Sequence, residues 1–175
     1  MRKQKFFTTA RICRAGVIAA LYVALNYAFG SLAQMGYLQI RPAEALCIMP
    51  LFFVEAVPAL FIGCILSNLT SPFLFYDVVF GSLATLVSAL GSYLVGRFIK
   101  NDFLKFFLGG LFPVLVNAFV IPYIIVFLCG VGTTGWTAYF TFFLSMLITQ
   151  SVWVYGLGAP LYLFFKKQKN RNSSQ

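Results

Sequence analysis

The chain has no histidine, and only 4 of its 175 residues are Asp or Glu. Its 4 cysteines, Cys13, Cys47, Cys64 and Cys129, are scattered with no C-x-x-C pair. A zinc site needs His or clustered Cys, so no metal site is expected, and the cysteines read as small apolar core residues. The sequence also lacks G-x-S-x-G, H-E-x-x-H and a Walker A loop, which excludes the common hydrolase chemistries and ATP hydrolysis by this chain alone. Two of the carboxylates, Glu55 and Asp102, are placed at turns, so little remains for acid–base catalysis. The expectation is a protein that is not an enzyme and holds no cofactor. If it moves a solute uphill, the energy comes from an ion gradient or a partner.

Charge of either sign is scarce as well, at 10% of residues, against about 25% in soluble proteins. Apolar residues make up 61%, with 18% aromatic and 21 Phe. A soluble domain of this length cannot hide so much apolar surface, so the solvent for most of it is membrane lipid. Disorder is excluded by the same composition. The net charge of +9 does not read as nucleic-acid binding, because the placement of the charge carries the information.

Twelve of the 13 basic residues fall in three clusters. These are Arg2, Lys3, Lys5, Arg11 and Arg14; then Arg97, Lys100 and Lys105; then Lys166, Lys167, Lys169 and Arg171. Cytoplasmic loops are enriched in Lys and Arg, so all three clusters are expected inside, with an even number of crossings between them. Two spans fit between Lys105 and Lys166, around a turn at Cys129–Gly135. Between Arg14 and Arg97 there are three breaks, at Gln34–Arg41, Glu55–Pro58 and Ser67–Asp77, which make four segments. The fold class is therefore an all-α integral membrane protein with six transmembrane helices and cytoplasmic N- and C-termini. Residues 1–175 form one membrane domain: a basic N-terminus (1–14), a bundle (15–165) and a polar tail (166–175). Two segments, Ala43–Val54 and Ala56–Leu66, are too short for a normal crossing and point to helices packed inside the protein or lining a cavity. The first apolar run is too long for a signal-peptide h-region and reads as a retained helix. Asn68-Leu-Thr70 matches the glycosylation triplet, a match too short to carry weight.

Few polar residues remain at membrane depth, and most are expected in the extracytoplasmic half. Arg41 and Glu44 flank Pro42, Asn68 ends the third segment, Asp77 opens the fourth, and Asn117 and Gln150 lie within the fifth and sixth. Ionisable groups there are costly and mark candidate binding sites. Each also has a structural reading. Pro42 suits a first helical position, with Glu44 in the first turn and Arg41 paired to it. Asp77 suits an N-cap for Val78 onward. Asn117 and Gln150 suit bonds between helices. Tyr76, Tyr123, Trp136 and Tyr139 read as an interfacial belt. In the first helix, Ala15/Ala19, Gly16/Ala20, Ala20/Ala24 and Ala24/Ala28 place small residues four apart, which lets another helix approach closely, in this chain or in a partner.

Arg41-Pro-Ala-Glu-Ala-Leu46 followed by Pro50, Phe61-Ile-Gly-Cys-Ile-Leu-Ser-Asn68, and Asp77-Val-Val-Phe-Gly-Ser-Leu-Ala-Thr85 resemble the QueT family, as does the Pro113…Asn117…Pro122 run. QueT proteins are S components of energy-coupling factor (ECF) transporters, assigned to queuosine precursors. The resemblance implies a multi-pass protein of the bacterial plasma membrane that binds a 7-deazaguanine such as preQ0, preQ1 or queuine. It implies partners too, a transmembrane coupling protein and two ATPase subunits, with Ala15, Ala19, Ala20 and Ala24 on the docking face. The substrate residues would be Arg41, Glu44, Asn68, Asp77, Asn117 and Gln150, since carboxylate, Arg and amides suit the donor and acceptor edges of a guanine-like base. The alternatives are an S component for another vitamin-like solute and a gradient-driven carrier acting alone.

Overall fold

The computed structural model describes residues 8–30, 40–71, 73–130 and 135–173. Arg2, Lys3, Lys5, most of the Gln34–Arg41 break, most of the Cys129–Gly135 turn and the last two tail residues lie outside them. Six helices make up the described chain: α1 (Thr9–Phe29), α2 (Pro42–Leu51), α3 (Ala56–Asn68), α4 (Leu74–Phe98), α5 (Asp102–Leu128) and α6 (Trp136–Arg171). Among these, α1, α4, α5 and α6 are long and apolar enough to cross a membrane, and α2 and α3 are shorter. The chain is a multi-pass membrane protein of six helices, two of them short, as the sequence leads one to expect.

The centre of the bundle is α2. It is a narrow 3-10 helix whose ten residues are all buried, and it packs against every other helix. Proline sets both of its limits. Pro42 stands at the first position, where a missing N–H costs nothing, and Pro50 removes a donor near the end. The helix stops at Leu51, short of the Val54 expected from hydropathy. Glycines let neighbouring backbones close on it. A Cβ on Gly96 of α4 would lie 2.7 Å from the Leu51 carbonyl oxygen, so only glycine fits that crossing.

Proline also explains one inter-helix bond. Pro113 sits inside α5 and cannot donate to the carbonyl four residues back, which belongs to Gly109. The Ser92 hydroxyl of α4 donates to that carbonyl at 2.6 Å. A backbone acceptor freed within the membrane is thus satisfied by a neighbouring helix, as the absence of water there demands. The start of α5 is capped by Asn101, whose Oδ1 accepts from the Phe103 N–H at 3.0 Å.

The start of α4 corrects an expectation. The helix begins at Leu74, and Asp77 is already helical, with φ −71° and ψ −38°, so it caps nothing. Its turn, Asp77–Gly81, is widened into a π-helix. Pi turns are rare and recur at functional sites.

The basic clusters meet at one end of the bundle. Arg14 Nη1 lies 3.1 Å from Glu55 Oε1, an ion pair without the alignment of a hydrogen bond. The Arg14 guanidinium also sits 4.9 Å over the Phe53 ring. Lys166 Nζ pairs with Asp102 Oδ2 at 2.7 Å. Phe53 meets Phe165 edge-on at 5.3 Å, and Phe52 packs on Tyr162, so the ends of α2 and α6 interlock there. At the other end Tyr123, Phe127, Trp136 and Tyr139 form a ring cluster. Trp136 and Tyr123 in it are more than half exposed, as an interfacial belt requires.

Candidate functional site

The first turn of α2 points Glu44 into the bundle. Its carboxylate is 1% exposed and accepts hydrogen bonds from three uncharged donors among the described residues. The Tyr22 hydroxyl of α1 donates to Oε1 at 3.1 Å. The Cys47 thiol, one turn along α2, donates to Oε2 at 3.2 Å. The Asn117 amide of α5 donates to the same oxygen at 3.2 Å. A carboxylate has about four acceptor positions; among the described residues Oε2 takes two hydrogen bonds and Oε1 one.

Depth follows from the helices that supply the donors. Tyr22 lies 13 residues into α1 and Asn117 lies 15 residues into α5, about 20 Å from the basic end. Glu44 therefore lies well inside the bundle, away from the ends of both helices. Gln150 stands at the same level on α6. One turn before it, Met146 packs with Ala118 and Ile121, and one turn after it, Val154 packs with Val114. Asn117 lies between those α5 positions. Gln150 is 1% exposed, and its Oε1 accepts no hydrogen bond from the described residues. An acceptor left bare inside a protein costs about 1–3 kcal/mol, so a ligand or water is called for.

Asn68 and Asp77 make a separate group beside this one. The Asn68 amide donates to the Asp77 backbone carbonyl at 2.8 Å and to the Cys64 sulfur at 3.4 Å. The Asp77 carboxylate accepts from the Ser71 hydroxyl, which closes the α3–α4 turn. The Cys64 sulfur also accepts from Thr85 at 3.2 Å and borders Tyr22, which joins the two groups. Burial, with the Asp77 charge added, pushes the Cys129 thiol up, and this sets Asp77 near the far end of α5. Arg41 is half-buried just before Pro42, within electrostatic reach of Tyr22.

The structure thus brings Glu44 and Asn117 together, sets Gln150 level with them, and keeps Asn68 and Asp77 as neighbours. Tyr22, Thr85 and Ser82 were not singled out by the sequence, and Cys47 and Cys64 were read only as apolar core residues. Cys47 and Cys64 are buried as expected, but both are hydrogen-bonded. A usable signal lay in α4, where Ser82, Thr85, Ser88 and Ser92 recur at helical spacing and all are buried.

The small residues of α1 divide. Ala15 and Ala19 pack against the core with Ile18 and Tyr22, where Gly63 of α3 allows close approach. Ala20 and Ala24 are exposed.

A family model described as "QueT transporter" matches residues 12–167. The chain belongs to the QueT transporter family. Within it, the curated "Queuosine precursor transporter QueT" of Lactococcus lactis subsp. cremoris (strain MG1363) is 38% identical over 105 residues. That alignment covers 59% of this chain and 59% of the relative. No solved structure matches the chain significantly. The QueT match includes every residue of the Glu44 group as well as Asn68 and Asp77.

Proposed function

We propose that the chain is the substrate-binding S component of an ECF importer for a queuosine precursor. The ligand is a 7-deazaguanine such as preQ0, preQ1 or queuine. It is handed on through a transmembrane coupling protein driven by two ATPase subunits. Family membership and the name of the curated relative support the transport reading. The observation that carries the chemistry is the pairing of a buried carboxylate with a bare amide carbonyl at one depth.

Glu44 Oε1 and the bare Gln150 Oε1 are both acceptors. A guanine-like edge offers N1–H and an exocyclic NH2, which are donors. Asn117 orients Glu44, and Arg41 at the head of α2 is suited to an acceptor such as O6. Asn68 and Asp77 hold the turn that forms the site's rim. The exposed Ala20 and Ala24 offer the coupling protein a close helix contact, while Ala15 and Ala19 support α1 from within.

Binding of preQ0, preQ1, queuine and a vitamin panel to the purified chain, without nucleotide, tests this reading. Saturable binding of the deazaguanines alone is expected. Binding of a vitamin in their place would overturn the substrate. Failure to co-purify with ATPase subunits from its own host would overturn the partners.

A further inference from the structure

We infer that α6 and its neighbours form a binding site for one anionic phospholipid. Two depressions share this helix. The first, of about 370 Å³, lies between α1, α2 and α6 and includes Leu25, Ala45, Leu46, Leu157, Pro160 and Leu161. None of those side chains can hydrogen-bond, so the groove suits a hydrocarbon chain and not water. The second, of about 410 Å³, is lined by Leu163, Lys166, Lys167, Asn170 and Arg171.

Helix geometry aligns them. From Gly158 onward the helix is regular, so Pro160, Phe164, Lys167 and Arg171, spaced by four, three and four, share one face. Lys167 stands about 10 Å and Arg171 about 16 Å along the axis from Pro160. Phe164 is 55% exposed and bridges the gap. That separation matches a chain lying in the groove with its phosphate at the cations. Depth agrees as well. The 36 residues of α6 run about 54 Å, well beyond the roughly 30 Å hydrocarbon core, so its last turns stand at headgroup level.

Charge selects the headgroup. Lys166 is engaged by Asp102, whereas Lys167 and Arg171, four residues apart, repel each other on the helix. A phosphate between them turns that repulsion into attraction, and an anionic lipid brings no cation of its own to spoil it. A free anion would use only the second depression, and a neutral lipid only the first. An anionic phospholipid uses both.

The purified full-length chain in neutral detergent is titrated with phosphatidylglycerol or phosphatidylcholine, and retained lipid is counted by native mass spectrometry. Phosphatidylglycerol should be retained about tenfold better. Lys167→Gln with Arg171→Gln should abolish that preference. Leu157→Trp, at a position 45% exposed, should block the groove and lower retention of both lipids while the melting temperature holds. Equal retention of the two lipids by the parent overturns the site. So does a double variant that keeps the preference, or a blocked groove that retains lipid undiminished. Inorganic phosphate that displaces phosphatidylglycerol would mark a free-anion site instead and overturn it as well.

Discussion

Exchanging Glu44 for glutamine separates a ligand contact from a structural group, because the surroundings dictate how the amide must sit. Oε2 accepts from both Cys47 and Asn117, so an NH2 placed there would face two donors. Among the described residues Oε1 accepts from the Tyr22 hydroxyl, which can rotate and accept instead. The new NH2 therefore takes the Oε1 position, and the fold keeps its bonds. That is also the atom proposed to accept from the ligand, so the ligand's N–H would now meet an N–H. Losing a charge-assisted bond at a buried site costs about 1.5–3 kcal/mol, roughly ten- to a hundredfold in affinity. Isothermal titration of Glu44→Gln with a 7-deazaguanine, beside its melting curve, measures both quantities. Asp77→Asn is the control. Its partner Ser71 can still donate to the amide oxygen, and affinity should stay within about twofold. Parent-like binding by Glu44→Gln with a tenfold loss in Asp77→Asn would refute this assignment and move the site to the α3–α4 turn.

Gln150→Leu should weaken ligand binding about tenfold yet raise thermal stability, since it removes a bare buried acceptor; a fall in both would mean that Gln150 is a structural bridge. Gly96→Ala should cost about 1–3 kcal/mol, read as a lower melting temperature in detergent, because the new methyl meets the Leu51 backbone. Ser92→Ala should cost about 1 kcal/mol by orphaning the Gly109 carbonyl, whereas a neutral result would show that water reaches it. Ala24→Leu should leave binding by the isolated protein intact and impair uptake in cells, and loss of both would place Ala24 in internal packing.

Much of the fold was legible because lipid imposes a simple code. Long apolar runs bounded by basic clusters marked α1, α4, α5 and α6, and two runs too short to cross marked α2 and α3. The 3-10 character of α2 was not legible, since it follows from packing on five neighbours at once. The candidate residues stood out because polar side chains are rare here, and Glu44 with Asn117 proved to be in contact across 73 positions of sequence. Their partners were hidden by chemistry. Tyr22 and Cys47 belong to residue types that pass as apolar until a carboxylate lies beside them. Asp77 misled through local rules, because an Asp before an apolar run resembles a cap, and only the helical backbone from Leu74 through Asp77 shows that the helix had already begun.

The burial of α2 on every side has a consequence for biosynthesis. A ten-residue segment is too short to be held across the bilayer as an independent span, and as an isolated helix it is marginal. Its Ile48 packs against Gly158 of α6, a residue made long after α2 leaves the ribosome. Until α6 is inserted, the α2 cavity lacks a wall, and Glu44 lacks the level of the bundle that carries Gln150. The central helix is thus among the first elements synthesised and the last to be enclosed, so a chain shortened before α6 should be recognised by membrane proteases as unfinished.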